Sequence, residues 1–545
     1  MSLTRLDLRG MSGDLAAALP PPVDEQARSS AAVAEILGAV RAGGDAALLD
    51  LTERFDGVRL ASLAVAPEVV AAAPGRLPPD LRHALEVAHR RIAEYHRHEL
   101  ALASEEPFTS EGVTVAQLVR PVARAGCYAP GGRARYPSTV LMCATPARVA
   151  GVEEVVLCVP PAPDGTVDDA TLAAAAIAGV DEVYAVGGAQ AVAAMAFGTE
   201  SIAAVDVIVG PGNRYVAEAK RQVSGVVGVA SAFAGPSEVV VVAAPGTRPA
   251  LAAVDVVVQA EHGPDGQAWL VTWDEALADA VTAEVDRIVA ASPRRGDLEA
   301  TLAGGGYAVV VDGPEQAMAV ANVVAPEHLE LMVGADLAGS MVAAVRSAGA
   351  VFVGEDAPAS LGDYLAGPNH VLPTNRTARF ASALRTDDFL RHVHVVTAGP
   401  QALAELGPHV VTLAEAEGLP AHARSVTLRA EAPAGPTWPT WSATTRPRWR
   451  RRCASTPTSR RSHRRPPGTR RPPAGWSGSP STVTRTAGPP TCAGPSGPST
   501  AWGRSGCSAP TAPTRCCSPS SWPTAVPGAG WACSNRPTRS IGTSP

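Results

Sequence analysis

The sequence predicts an α/β protein with parallel sheets covered by helices on both faces. Three observations lead there. From residue 117 onward, short apolar runs alternate with Ala-rich stretches of helical length. Repeated strand–helix units of this length imply parallel rather than hairpin pairing. The turns GGAQ (187–190) and GPGN (210–213) fall at strand C-termini, where open α/β sheets bind ligands.

Taken in order, residues 25–105 are mainly helical in pattern, as in SSAAVAEILGAVRAGGDAALLDLTERFDG and PPDLRHALEVAHRRIAEYHRHEL. His83, His89, His96 and His98 sit among Arg and Glu on the second of these, which reads as the solvated face of an amphipathic helix rather than a metal site. VEEVVLCVPP (152–161) is a strand, DATLAAAAIAGV a helix and DEVYAVGG a strand. AQAVAAMAFG is then a helix, VDVIVGPG a strand and NRYVAEAKRQV a helix. Neither Gly-rich turn is GxGxxG, so tight-turn glycines account for them as well as a dinucleotide does. A second α/β stretch runs from SEVVVVAAPG (237–246) to about 385, with strands at QAWLVTW, GYAVVVDG and AGAVFVGE. Residues 386–430 add the strand-like HVHVVTAGP and a helix in AEAEGLPAHARSVTLR.

Composition divides the chain in two. Residues 1–430 hold 51 of the 52 acidic and 30 of the 46 basic residues, a net of −21, whereas 431–545 hold one acid and 16 arginines. The overall −6 is therefore an average of unlike parts. The acidity of the first part argues against general nucleic-acid binding. Its cysteines, Cys127, Cys143 and Cys158, lack paired or metal-type spacing, which suggests reduced thiols in the cytoplasm. The N-terminus MSLTRLDLRGMSGDL has no apolar leader core, and no long uncharged span suits a membrane. Residues 431–545 carry seven of nine tryptophans and six of nine cysteines without a folding period. They read as disordered or frame-shifted, as an out-of-frame translation of GC-rich DNA would produce. An Arg-rich arm for nucleic acid is the competing account.

Four stretches carry candidate chemistry. In VVVQAEHGPDG (256–266), on a helix begun by Pro249, Gln259 and His262 are i and i+3 and leave one face. In VVAPEHLEL, Pro326 in a first helical turn puts Glu327 and His328 at a helix N-terminus, whose dipole keeps His328 neutral and able to act as a base. SLGDYLAGPNHVLPT places Asp363 and His370 in a Gly/Pro-rich loop, and AEGLPAH holds Glu417 and His422. Each alone is matched by a polar helix end meeting solvent. Together Gln259, His262, Asp363 and His422 offer two imidazole nitrogens and two oxygens, a set suited to Zn²⁺ with room for substrate.

Across residues 1–430 the chain resembles the histidinol dehydrogenase family. The motifs that carry the resemblance are GCYAPGG (126–132), STVLMCATPARVAG, VGGAQAVAAMAFG, VGPGNRYVAEAKRQV, AGPSEVVVV, QAEHGPDGQ, APEHLEL, GDYLAGPNHVLPT and GLPAHARSVTLR. The resemblance implies a cytoplasmic homodimer that oxidises L-histidinol through L-histidinal to L-histidine, using NAD and one zinc per subunit. It implies zinc ligands at Gln259, His262, Asp363 and His422, and a catalytic pair at Glu327 and His328. Substrate contacts fall on Ser237, Gln259, His262, His328, Asp363, His370, Glu417 and His422, and NAD contacts on Tyr128, Gln190 and Asn213.

The implied fold has two incomplete Rossmann-like domains and small terminal domains exchanged between subunits. Its divisions are an arm at 1–24, a discontinuous first domain at 25–127 and 237–385, an NAD-binding domain at 128–236 and an exchange segment at 386–430. Ser231 and Ala244 stand where the family usually has Asp, which points to local packing or loop effects only. Two other functions compete: a related zinc-dependent dehydrogenase of another small polyol, and a non-catalytic zinc-binding protein.

Overall fold

The computed structural model describes residues 3–11, 13–20, 26–103, 106–131, 135–230, 237–261, 263 and 266–431. The 431–545 tail lies, beyond Glu431, outside the described residues. The strands run in chain order β1 (Thr4–Asp7), β2 (Phe108–Ser110), β3 (Val113–Pro121), β4 (Arg124–Tyr128), β5 (Glu154–Val159), β6 (Glu182–Ala185) and β7 (Val207–Val209). They continue with β8 (Gly228–Val229), β9 (Glu238–Ala243), β10 (Gln267–Thr272), β11 (Gly306–Val310), β12 (His328–Met332), β13 (Ala350–Val353) and β14 (Leu390–Ala398).

Two sheets are parallel throughout. One has six strands in the order β1-β11-β10-β9-β12-β13, the other five in the order β6-β5-β4-β7-β8. In each, the chain builds outward from an inner strand, first to one side and then to the other. That leaves a reversal point between β9 and β12, and another between β4 and β7. The run EVVVVA of β9 is buried on both faces. Val239, Val241 and Ala243 pack on Ala252 and Val256 of the Pro249–Ala260 helix. Val240 and Val242 pack with Trp269, Val271 and Met318 on the other side. A fully buried valine gains roughly 1.5–3 kcal/mol over an exposed one, so an unbroken apolar run is what a doubly covered strand requires.

The helices Gln26–Asp56, Pro67–Arg76 and Pro79–Leu102 pack against the five-stranded sheet and its helices. This differs from the expected grouping of 25–127 with 237–385. The apolar stripes of these helices, Val33, Leu37 and Val40 in the first and Leu85, Ala88 and Ile92 in the third, share cores with β4 and β5 rather than with β9. The N-terminal segment, expected as an arm, supplies β1 as an edge strand beside β11. His83 and His98 are exposed as expected, but His96 is fully buried. Its position continues the stripe Leu85, Ala88 and Ile92.

The third sheet is antiparallel, in the order β14-β3-β2. It leads into a hairpin of helices, Pro400–Ala416 and Pro420–Glu431. Val393, Val396, Leu413 and Leu428 are exposed along this C-terminal stretch. Among the described residues no helix is long and apolar enough to cross a membrane.

Candidate functional site

The two parallel sheets present chemistry at opposite edges. Glu238 and His328 begin neighbouring strands, so they stand at the N-terminal edge of the six-stranded sheet, beside the reversal point. The Pro249–Ala260 helix follows β9 and runs back to this edge, bringing Gln259 with it. Pro249 starts that helix as the sequence predicts. Its far end is secured by Thr301, whose Oγ1 lies 3.0 Å from Ala260 O and 2.7 Å from Gly263 O.

Asp363 is the hub. It lies on a short helix, Ala359–Tyr364, rather than in the expected loop. Its Oδ1 is 3.1 Å from His328 Nε2, and its Oδ2 accepts from Gln259 Nε2 at 3.3 Å. His370 Nδ1 donates to the Asp363 carbonyl at 2.7 Å. The other side of His328 is also fixed, with Nδ1 donating to Glu238 O at 3.1 Å. Glu327 Oε2 accepts from Glu238 N at 3.0 Å and lies 3.5 Å from His328 Nδ1. Ser237 precedes β9, and its carbonyl accepts from Gln267 N at 3.1 Å.

The expected helix at APEHLEL is not formed. His328 opens β12, which is paired on both sides, with β9 and β13. The period-2 alternation of HLELM overrides the Pro signal, and His328 does not sit at a helix N-terminus. Burial disfavours charge on this imidazole, but the Glu327 carboxylate and the hydrogen bond to Asp363 outweigh it and raise its pKa to about 9. Burial pushes Glu327 up to about 7, against the opposing influence of His328. Burial, reinforced by Glu327, pushes Glu238 to about 8.

For a metal, the telling atom is Gln259 Oε1. Gln259 is 1 % exposed, and this oxygen is buried with no hydrogen-bond partner. An orphan amide oxygen beside a carboxylate is a donor set that fits a divalent cation. His262 lies outside the described residues. Glu417 and His422 are exposed on the C-terminal hairpin and do not join the group around Asp363. Among the described residues no three His, Cys, Asp or Glu side chains are grouped to hold a metal.

The residues expected at a dinucleotide lie at the C-terminal edge of the five-stranded sheet. Tyr128 ends β4, and its hydroxyl accepts from Gly188 N at 3.1 Å. Gln190 is buried in the first turn of the Gly188–Phe197 helix. Asn213 caps the Arg214–Val223 helix, its Oδ1 accepting from Tyr215 N and Val216 N at 3.0 and 3.1 Å. The reversal point between β4 and β7 is closed by Gly210 at φ +106°, where a Cβ would stand 2.1 Å from Tyr128 O. Lys220, the chain's only lysine, donates to Gly210 O from a fully buried position. The two edges are tied together. His370 Nε2 lies 3.3 Å from Thr139 Oγ1, and Asn369 Nδ2 donates to Met142 O at 2.6 Å, both on the Pro137–Ala150 helix that follows β4.

Four polar residues in this region escape a reading of motifs: Glu238, Asp255, Thr301 and Glu330. Two had a visible signal, since Asp255 is i−4 from Gln259 and Glu330 is i+2 from His328, both acids inside apolar runs. Ala244 sits at the opposite end of β9 from the site, and Ser231 lies outside the described residues.

The histidinol dehydrogenase family matches over residues 21–430. A histidinol dehydrogenase of Gluconobacter oxydans (strain 621H) is 46% identical over 434 residues, covering 79% of this chain and 100% of that protein. One from Parasynechococcus marenigrum (strain WH8102) is 48% identical over 397 residues, covering 72% and 89%. The crystal structure of histidinol dehydrogenase from Elizabethkingia anophelis superposes with a TM-score of 0.74 at 33% identity, over 79% of this chain and 98% of that one. The mixed α/β architecture, the polar group around Asp363 and these likenesses lead to one conclusion: the chain belongs to the histidinol dehydrogenase family, the oxidoreductases that oxidise histidinol in histidine biosynthesis.

Proposed function

We propose that this chain takes L-histidinol through L-histidinal to L-histidine in the cytoplasm, with two NAD⁺ used in sequence and one zinc ion per subunit. The observation that supports the reading best is the convergence of Gln259, His328 and Asp363, with Glu327 alongside and Gln259 Oε1 left unpaired. Gln259, His262 and Asp363 would hold the zinc from one chain and His422 from the partner subunit. When bound, zinc supplies a Lewis acid that orients the amino-alcohol, and NAD⁺ supplies the hydride acceptor.

The chain's own groups then do the proton work. His328, clamped through Nδ1 to Glu238 O, accepts the hydroxyl proton at Nε2 from its neutral form, which is populated as pH rises toward its pKa of about 9, while the carbinol hydride departs. Hydration of the aldehyde needs a water activated beside it, and Glu327 is the nearby carboxylate for that step. His328 then serves the hydrated aldehyde as it served the alcohol. Both residues are buried, which keeps a reactive aldehyde from bulk water. Ser237, His370 and Glu417 complete the substrate contacts, and Tyr128, Gln190 and Asn213 line the proposed NAD edge.

NADH formation with histidinol, with and without a chelator, tests the reading. Activity lost on chelation and restored by zinc is expected; full turnover without bound metal overturns the zinc assignment. The exposed apolar side chains of the C-terminal stretch support a homodimer in which that stretch completes the partner's site. Mixing His262→Ala and His422→Ala chains should then recover part of the activity, because one site of the heterodimer draws intact ligands from both. No recovery in confirmed heterodimers means that His422 serves its own chain.

A further inference from the structure

Beneath the group around Asp363 lies a second polar layer that the reaction does not use. Asp255 is one helical turn below Gln259 on the Pro249–Ala260 helix. Glu330 is two residues beyond His328 on β12, so both leave the same face of the strand. Ala359 is one turn below Asp363 on the Ala359–Tyr364 helix. The three lower positions meet as the three upper ones do. The Glu330 and Asp255 carboxyl groups lie against each other, each altering the other's ionisation, and Glu330 Oε1 accepts from Ala359 N at 3.2 Å. Glu330 is 2 % and Asp255 7 % exposed. Two carboxyls in contact at that depth do not both ionise; one proton between them makes a short, directional, charge-assisted bond.

We propose that Asp255 and Glu330 are positioning residues: a hydrogen-bonded acid–carboxylate pair that locks two helices and β12 in register and so holds Gln259, His328 and Asp363 at one height. The proposal rests on the reading of Gln259 and Asp363 as zinc ligands. Apolar side chains of similar volume would pack this interior at least as stably, because buried polar pairs seldom win on stability alone. What they would lack is direction. A leucine at 330 allows the Ala359–Tyr364 helix to slide along the strand, whereas a carboxylate that bonds Asp255 on one side and Ala359 N on the other does not. Misplacement by about 1 Å can cost on the order of 10²-fold in rate, and loss of an outer partner of a metal ligand typically costs about 10–100-fold in metal affinity or activity.

The test compares Glu330→Leu with Glu330→Gln in the full chain, reading zinc affinity by competition with a chelator, kcat and KM for histidinol, and thermal unfolding. Glu330→Gln keeps both bonds, its amide donating to Asp255 and accepting from Ala359 N. It should hold zinc and turn over within about threefold of the parent, in line with the small cost of a retained hydrogen bond. Glu330→Leu should fold, yet bind zinc about 10–100-fold more weakly and lose kcat. If Glu330→Leu does not fold, Asp255→Ala, which leaves β12 untouched, carries the same expectation. Parent-like zinc affinity and kcat in the variants that break the pair overturn the proposal, and so does Glu330→Gln failing as badly as Glu330→Leu. Asp363→Asn separates the two layers of inference. If it loses zinc while Glu330→Leu keeps it, the positioning role fails; if it keeps zinc, the ligand assignment fails first.

Discussion

His96 and His328 make nearly the same contact in two distant parts of the molecule. His96 Nδ1 lies 2.9 Å from Glu99 Oε2, and His328 Nε2 lies 3.1 Å from Asp363 Oδ1. Their surroundings differ. Thr386 donates to Glu99 Oε2 through both its backbone N and its Oγ1 at 2.9 Å, and Arg385 Nε is 3.0 Å from Oε1. Burial would raise Glu99, but the hydrogen bonds from His96 and Thr386 hold it down at about 2. Around His328 the carboxyl groups crowd instead. Two carboxylates flank its ring, Asp363 Oδ1 at 3.1 Å from Nε2 and Glu327 Oε2 at 3.5 Å from Nδ1, and Glu327 is pushed up to about 7. A histidine–carboxylate contact therefore does not mark a site by itself. Where donors satisfy the carboxylate, the pair joins structural elements; where carboxylates outnumber donors, protonation is left open for chemistry.

The largest expected effect sets these two histidines against each other. His328→Asn should slow both oxidations by roughly 10²–10⁴-fold, the usual worth of a general base, while thermal unfolding moves little. His96→Asn should do the reverse. Losing one bond to a charged acceptor, while Thr386 and Arg385 still hold Glu99, should cost about 1.5–3 kcal/mol of stability, with kcat and KM of the folded enzyme unchanged. Steady-state kinetics and unfolding curves on both variants check this. A kcat loss in His96→Asn as large as that in His328→Asn would erase the distinction.

A smaller effect divides the crowded side. Glu327→Gln keeps the side-chain shape and still accepts from Glu238 N, but has no carboxylate to activate water. Alcohol oxidation should remain measurable, while conversion of directly supplied histidinal to histidine falls by roughly 10²-fold or more. Equal losses in the two steps assign Glu327 to orienting His328 instead.

The difference between the two histidines was partly legible in the sequence. His96 follows Leu85, Ala88 and Ile92 at helical spacing, so a helical wheel places it on the buried stripe. The surrounding Arg and Glu residues concealed that. The HLELM alternation likewise signals a strand, and Pro326 masked it by resembling a helix start. The apolar runs of β5, β9, β10 and β11 were plain because each is buried on both faces. The antiparallel pairing of β3 with β14 was not, since nothing local in 113–121 specifies a partner some 270 positions on. The motifs of the site could be read one by one. What no motif contains is the lower layer, where Asp255 and Glu330 meet only after a helix and a strand have packed.

The smallest effect appears only in acid and tests the satisfied side of the comparison. Glu99 has an ordinary value of 4.5 and is held at about 2 in the fold. A carboxyl depressed on folding stabilises the protein above its unfolded pKa, and that contribution is lost as pH falls through the folded value. Fully expressed, such a shift is worth about 3 kcal/mol. Solvent screening at this joint should leave on the order of 1–2 kcal/mol. Asp388, facing the same joint, is pushed up by burial and titrates with the opposite sign. Burial, its main cause, is common to the parent and to Glu99→Gln, but the Glu99 charge also raises Asp388, so the stability difference reports Glu99 together with its coupling to Asp388. That difference should be constant above about pH 5 and should shrink steadily between pH 4.5 and 2, measured by denaturant unfolding at each pH. A difference that widens on acidification would mean that the Glu99 carboxylate is not satisfied at this joint, and the contrast with His328 would then need another cause.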